Sequence, residues 1–257
     1  WAMFVESLIV AVGLLGIYAW KGGKLTAWRF RFARTKVLLK DSWPLILSGL
    51  AIMVYMRIDQ IMLGQMLGDE SVGIYSAAVR ISEVWYFIPM AIAASVFPSI
   101  IEAKKQGEAL YYERLQKLSD VMLLLALAGA IPMTFLSNWV VTMLFGRAYA
   151  LAGSVLAIHI WSGLFVFLGF ASGKWFIIEG LQRYYFYRTL FGAVVNVVLN
   201  LIMIPQFGVI GAASATVVSQ GCANVFFNVS NRKTRIIFFM QCKSFLTIGN
   251  FFKRSER

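Results

Sequence analysis

The sequence predicts an all-α protein, a polytopic bundle of about seven membrane helices, on three observations. Sixty per cent of its 257 residues are apolar and only 14% are charged, with a mean hydropathy of +0.72, values that exclude an ordinary soluble domain. The apolar residues gather into runs of about 20, the length that carries a helix across roughly 30 Å of hydrocarbon. Twenty of the 24 Lys and Arg residues fall in alternate gaps between those runs, at Lys21–Lys40, Lys104–Lys117, Arg183–Arg188 and Arg232–Arg257. That is the positive-inside distribution of a membrane protein.

Seven runs follow in order: 2–20, 43–66, 72–99, 119–140, 153–178, 188–205 and 209–230. Each must be helical, because lipid offers no partner to a free backbone N–H or C=O. Charge places 21–42, 100–118, 179–187 and the tail after 230 in the cytoplasm. It places 67–71, 141–152 and 206–208 outside, so the first helix runs outward to inward. The basic stretch 21–42 is a connector between one helix before it and six after it. Its Trp28-Arg29-Phe30-Arg31-Phe32 interleaves aromatics with cations. Between two apolar runs it reads as an anchor facing anionic membrane lipid, not as a nucleic-acid contact. Residues 102–118 read as a helical extension on the membrane surface. The tail 231–257 mixes Ile236–Met240, Phe245, Phe251 and Phe252 with basic residues. Lys243 interrupts it, which suits an interfacial helix better than an eighth span. The chain starts at Trp1, already inside an apolar run, and reads as a piece of a longer protein.

Three cations lie inside the runs, Arg57, Arg80 and Lys174, accompanied by Asp59 and Glu83. At a rise of 1.5 Å per residue, Arg57, Asp59 and Arg80 sit about 10 Å below the outer turn, with Glu83 about one turn deeper. The two helices are consecutive and antiparallel, so the four groups can converge. Charges at such depth are costly and face a watery pathway or one another. Two readings stand. The acids either hold the arginines in place, the favoured reading, or take part in ion coupling. Arg57 and Asp59 are about 200° apart around a helix and cannot both face one spot. Lys174 either snorkels to the inner surface or supplies a cation to the inner half of a cavity. His159, the only histidine, reads as a hydrogen-bonded packing residue.

Asn196 and Asn200 make a polar stripe on the sixth run, and Gln220, Asn224 and Asn228 another on the seventh. Such amides either tie helices together or line a passage for sugar hydroxyls, since an amide both donates and accepts. Pro89 and Pro132 are expected to bend their helices. Gly169 and Gly173 permit close helix contact. Cys222 and Cys242 are expected to form neither a disulfide nor a metal site, and no cofactor is expected. No phosphate-binding loop, metalloprotease motif or nucleophile elbow occurs in the sequence. Nothing reads as a nucleophile with its base, and energy for any work would have to come from an ion gradient, a substrate gradient or another chain.

Several stretches carry a family resemblance. Trp43-Pro44 leads through Met56-Arg57-Ile58-Asp59-Gln60-Ile61-Met62-Leu63-Gly64 to Gly73-Ile74-Tyr75-Ser76-Ala77-Ala78-Val79-Arg80-Ile81. Further on come Leu144-Phe145-Gly146-Arg147-Ala148-Tyr149-Ala150 and Pro205-Gln206-Phe207-Gly208-Val209-Ile210-Gly211-Ala212-Ala213. Together these resemble the C-terminal half of O-antigen and polysaccharide repeat-unit flippases, in the superfamily that also holds the MATE drug exporters. The resemblance implies two six-helix bundles around a cavity that opens alternately to each side of the bacterial inner membrane. On it, 1–20 is the last helix of the first bundle, 21–42 the cytoplasmic connector, 43–230 the second bundle and 231–257 a cytoplasmic tail. The implied substrate is an undecaprenyl-diphosphate-linked oligosaccharide, handed on to polysaccharide polymerase and chain-length partners. The site residues expected for it are Arg57, Arg80 and Lys174 for the diphosphate and Asn196, Asn200, Gln220 and Asn224 for the sugars. A MATE-type drug/cation antiporter and a membrane polysaccharide polymerase are the alternatives. The first would favour an acidic, aromatic cavity. The second would want a larger outer loop than one bearing Arg147 alone.

Overall fold

The computed structural model describes residues 2–23 and 31–255, and every regular element in them is helical. Lys24, the Trp28–Phe30 part of the aromatic–cation stretch, and the side chains of Phe251 and Phe252 lie outside what is described. The chain divides into two compact units, Trp1–Trp43 and Pro44–Arg257. The first holds α1 (Ala2–Trp20) and the start of α2 (Phe32–Tyr55). The described side chains of α1 are exposed along its whole length.

The second unit carries α3 (Ile58–Leu67), α4 (Asp69–Val84), α5 (Phe87–Gln106), α6 (Glu108–Phe145), α7 (Ala150–His159), α8 (Ser162–Ile178), α9 (Gln182–Asn224) and α10 (Arg235–Ser255). Four helical segments are long and apolar enough to cross a membrane: Ser42–Leu67, Asp69–Gln106, Glu108–Phe145 and Gln182–Val229. The pair Arg147–His159 and Ser162–Ile178, bent by 44°, makes a fifth, and Phe4–Trp20 is a shorter apolar helix. The protein is a multi-pass membrane protein.

Three of the apolar runs are broken part-way. The breaks fall at Met56–Arg57, Trp85–Tyr86 and Ile160–Trp161. At each the backbone switches to i→i−3 bonds: Arg57 N to Val54 O at 3.0 Å, Tyr86 N to Glu83 O at 2.9 Å and Trp161 N to Ile158 O at 3.1 Å. Such tight turns inside a helix mark a local change of direction. Pro89 accounts for the second break, because it has no N–H to give to the Trp85 carbonyl and its ring crowds that group. Pro132, by contrast, sits inside an unbroken α6. The surface extension expected over 102–118 is divided: α5 ends at Gln106, Gly107 turns the chain with φ 153°, and α6 begins at Glu108.

The longest helix is a hairpin. Gly208 has φ 58° and ψ −136°, a conformation open to glycine and costly for other residues. A Cβ placed on Gly211 would collide with the backbone carbonyl of Met203, and one on Gly192 would meet the Cβ of Ala223 at 2.6 Å. Residues on either side of Gly208 thus lie against each other in antiparallel register. The two arms are the runs expected at 188–205 and 209–230. Gly169 permits a close helix contact as expected, since a Cβ there would collide with the Asn224 side chain of α9, while one on Gly173 would only touch Tyr185 at 3.4 Å.

Two apolar cores result. The outer one includes Leu63, Tyr75, Leu156, Ile204 and Ala212. The inner one includes Ile100, Met122, Leu168, Phe176 and, from α10, Ile237 and Met240.

The hairpin leaves no room at Gly211. Gly211→Ala should lower the thermal midpoint of the detergent-solubilised protein by an amount matching about 1–3 kcal/mol of overpacking. Gly73→Ala, where a Cβ meets nothing within 4 Å, should leave it unchanged or raise it. Thermal unfolding followed by size-exclusion chromatography compares the two.

Candidate functional site

Asp59 is the second residue of α3, directly after the break at Arg57, and is 4% exposed. The helix N-terminus favours a carboxylate in that first turn. Three neighbours donate to it. Tyr75 Oη of α4 reaches Oδ2 at 2.8 Å, Thr216 Oγ1 of the second arm of α9 reaches Oδ2 at 2.6 Å, and Asn200 Nδ2 of the first arm reaches Oδ1. The network continues inward. Asn200 Nδ2 also bonds Asn196 Oδ1 at 3.1 Å, Asn196 Nδ2 bonds Ser219 Oγ at 3.3 Å, and Ser219 Oγ meets Tyr55 Oη at 2.8 Å. Asn196, Asn200 and Ser219 are fully buried. One polar cluster thereby joins α2, α3, α4 and both arms of α9. Among the described residues no cation enters it, and Asn200 Oδ1 is buried there without a hydrogen-bond partner.

The arginines lie elsewhere. Arg57 pairs with Glu83 at 3.6 Å, its side chain 54% exposed and that of Glu83 20% exposed. Arg80 is exposed and makes no ion pair among the described residues. The expectation that Asp59 holds an arginine is therefore corrected. The angular separation of Arg57 and Asp59 turns one outward and the other inward, and Glu83 alone keeps the holding role. The expected convergence of four charges reduces to the one pair of Arg57 with Glu83.

Lys174 is half-buried in the inner half of the bundle, its Nζ 5.1 Å from the centre of the Phe97 ring. Gln220 Oε1 accepts from Asn224 Nδ2 at 2.7 Å, and neither joins the Asp59 cluster. The expected amide stripes thus separate into an outer pair committed to Asp59 and a second pair nearer the cytoplasm.

His159 is the hydrogen-bonded packing residue the sequence suggested, whereas the contact of Tyr86 and the burial of Arg188 went unseen in it. His159 Nδ1 lies 3.0 Å from Ser82 Oγ, and Tyr86 Oη lies 3.1 Å from Ser162 Oγ. Both contacts cross between helix breaks. Ser82 and Tyr86 also line a small cavity with Trp85, Gly129, Ile160 and Gly163. Arg188, counted by its position as a cytoplasmic charge, is 3% exposed. It donates to Ser172 Oγ at 2.9 Å and lies 5.0 Å and 4.8 Å from the rings of Phe176 and Tyr185. Tyr75 and Thr216 were legible in principle, since counting inward from Gly68 and Gly208 puts both near the depth of Asp59.

With this geometry in place, comparison with known proteins shows what the chain resembles. A family described as polysaccharide biosynthesis protein matches residues 1–104. The chain is 26% identical over 223 residues to the "Probable flippase AglR" of Haloferax volcanii, covering 84% of this chain and 45% of the relative. It is 25% identical over 216 residues to a Shigella dysenteriae protein whose name gives it as an O-antigen transporter, covering 82% and 53%. It is 22% identical over 196 residues to the Staphylococcus aureus capsular polysaccharide biosynthesis protein CapF, covering 76% and 50%. The chain is thus similar to polysaccharide biosynthesis proteins over its first 104 residues and to proteins named as flippases and polysaccharide transporters over most of its length. It spans about half the length of the curated relatives it matches. No solved structure matches it.

Removing the carboxylate should show how tightly the cluster is built. Asp59→Ala orphans three buried donors and should destabilise the protein by about 3 kcal/mol. Arg80→Ala should leave the thermal midpoint unchanged, since the side chain is exposed. A thermal-shift comparison of the two purified variants reads the difference.

Proposed function

We propose that the whole protein moves lipid-linked oligosaccharide repeat units from the cytoplasmic to the outer leaflet. On this reading the chain supplies α1 as the last helix of a first bundle, a basic connector, and a second bundle from residue 43 to 230. The substrate is an undecaprenyl-diphosphate-linked oligosaccharide, the membrane is the bacterial inner membrane, and polymerase and chain-length proteins act afterwards. No chemical bond need change, so the protein is a transporter rather than an enzyme. The names of the Haloferax and Shigella relatives support this reading.

One observation carries it. Arg80 is exposed and without an ion pair among the described residues, and Arg57 lies on the same pair of helices, half-exposed beside Glu83. Both sit about 10 Å below the outer turn. A cation at that depth is expensive unless it meets water or an anion. A diphosphate crossing the apolar layer has the matching need. An arginine fork can give it two parallel hydrogen bonds, which are strong where water is excluded. Lys174 would offer a second cation nearer the cytoplasm, and Gln220 and Asn224 would meet sugar hydroxyls. Asn196 and Asn200 leave this list, because their amides are occupied within the Asp59 cluster.

Asp59 takes the coupling role in the same proposal. A carboxylate enclosed by donors, with no arginine or lysine beside it, gains most from a proton or a small monovalent cation. Loading and unloading that charge would change how α3, α4 and the α9 hairpin hold one another.

Arg80→Ala should abolish surface-polysaccharide export in a deletion host while protein abundance stays normal. Single repeat units should then accumulate on the inner leaflet. Arg80→Lys should restore export only in part, and full activity in that variant would argue against two-pronged recognition of the diphosphate. Asp59→Asn should make export insensitive to collapse of the ion gradients, at a reduced rate. Single units that reach the outer leaflet yet never lengthen would instead assign the polymerase activity.

A further inference from the structure

The C-terminal helix α10 is an amphipathic element with an unusual division of faces. Ile237, Met240, Gln241 and Ser244 are buried, at the i, i+3, i+4, i+7 spacing of a docked helix face. The exposed arc mixes large apolar groups with cations. Ile236 is 36% exposed, Phe239 65%, Phe245 41% and Leu246 68%, and Arg235 and Lys243 are exposed among them. Arg232 and Lys233, also exposed, stand just before the helix. No Asp or Glu occurs anywhere from Gly180 to Ser255. The basic side chains of this segment therefore have no acidic neighbour in their own stretch of sequence.

The docked face fixes where α10 sits. Gln116 Nε2, near the start of α6, donates to Met240 O at 3.1 Å and Ser244 Oγ at 2.9 Å. Asn231 Nδ2 donates to Tyr184 Oη at 2.9 Å. Gln116 and Tyr184 both belong to the cytoplasmic boundary that the basic gaps define. The same face closes the end of α9. Asn224 is the last residue of that helix, and its carbonyl accepts from Gln241 Nε2 at 3.0 Å and Asn228 Nδ2 at 2.9 Å. Asn228 Nδ2 in turn bonds Gln241 Oε1 at 3.1 Å, and Thr234 Oγ1 bonds Asn228 O at 2.7 Å. Carbonyls at a helix C-terminus lack intrahelical donors, and α10 supplies one here.

We propose that α10 lies in the cytoplasmic leaflet as a surface helix that binds anionic phospholipid headgroups and holds the end of α9 to that surface. Phe239, Phe245 and Leu246 enter the acyl boundary, and Arg232, Lys233 and Lys243 meet phosphates. A helix carrying apolar and basic groups on one exposed arc at this depth matches a leaflet better than a water-filled compartment. Each basic side chain near an anionic surface adds roughly 1 kcal/mol, an attraction that salt weakens. The proposal rests on the position of the helix and not on what the protein transports.

The test places a spin label at Leu246→Cys in a protein carrying Cys222→Ser and Cys242→Ser, reconstituted in vesicles. The vesicles are phosphatidylcholine alone or phosphatidylcholine with a third phosphatidylglycerol. Accessibility to oxygen and to a water-soluble nickel chelate reports the depth of the label. The expected result is a shallow lipid position with phosphatidylglycerol present. Most of that preference should be lost at high salt and in the Arg232→Gln/Lys233→Gln/Lys243→Gln variant, whose thermal midpoint serves as the folding control. A label that stays aqueous in both lipids overturns the proposal and leaves a protein as the partner of this face. A label at the bilayer centre overturns it as well, because α10 would then span. An unchanged depth in the triple variant also overturns it, since charge would play no part.

Discussion

A carboxylate buried within an apolar bundle is the constraint on which the outer half of this protein depends. Moving an ionised group from water into such a place costs several kcal/mol unless donors replace the water. Asp59 is given those donors by Tyr75, Asn200 and Thr216, each from a different helix or arm. Several features of the fold follow from that need. α3 starts just before Asp59, so its free N-terminal dipole points at the acid. Asn200 and Thr216 stand at equal distances in sequence from Gly208, so folding α9 at that glycine brings both to one depth. Small residues in the hairpin, Gly192, Gly211 and Ala223, let the arms approach closely enough for Asn196 to reach Ser219.

The broken helices extend the same logic to the middle of the bundle. Each break leaves carbonyls and N–H groups without α-helical partners in a region where lipid provides none. Hydroxyl and imidazole contacts gather beside the breaks, His159 with Ser82 and Tyr86 with Ser162. The Arg57–Glu83 pair joins the flanks of two of them. One apolar core is built around Leu63, Tyr75 and Leu156 and the other around Met122, Leu168 and Phe176. A close-packed core transmits displacement and does not absorb it. A bend at these breaks would therefore move the outer core against the inner one as a block.

Much of the fold was legible in the sequence because its cause is local. Run length marks the apolar passages, and the described parts of those runs are helical in the structure. The interruptions were less legible. Pro89 announces the break at Trp85, yet nothing in the residues around Met56 or Ile160 announces theirs. The site divides the same way. Arg57, Asp59, Arg80 and Glu83 stand out because a charge in an apolar run is rare at any time. Their partners do not. Tyr75 and Thr216 are ordinary residues of membrane helices, and only the packing of α4 and of the Gly208 hairpin against α3 makes them ligands of Asp59. Arg188 was misplaced for a related reason. Charge counting treats every basic residue near a gap as solvated, whereas Tyr185 and Phe176 draw this one into the bundle.

The separation of Arg57 from Asp59 has a mechanical consequence for the proposed function. The two residues share the start of α3, one facing the exposed α3–α4 surface and the other the interior cluster. A charge change at either is felt at the same helix terminus. An anion bound by Arg57 would compete with Glu83 for the guanidinium and loosen the link between the two breaks. A proton or cation bound at Asp59 would weaken its hold on Tyr75 and Thr216, and so the hold of α3 on α4 and on the α9 hairpin. Each ligand alone would disturb one side of the terminus. Both together would free α3 from its two neighbours, which is the condition for it to move. Substrate and coupling ion would then interact without touching, through the orientation of a single short helix. The expectation that the acid and the arginines form one charge cluster would have predicted direct competition between the two ligands instead. The geometry at the start of α3 favours positive coupling over competition, because Asp59 is enclosed by Tyr75, Asn200 and Thr216 while Arg57, in the turn before it, pairs with Glu83.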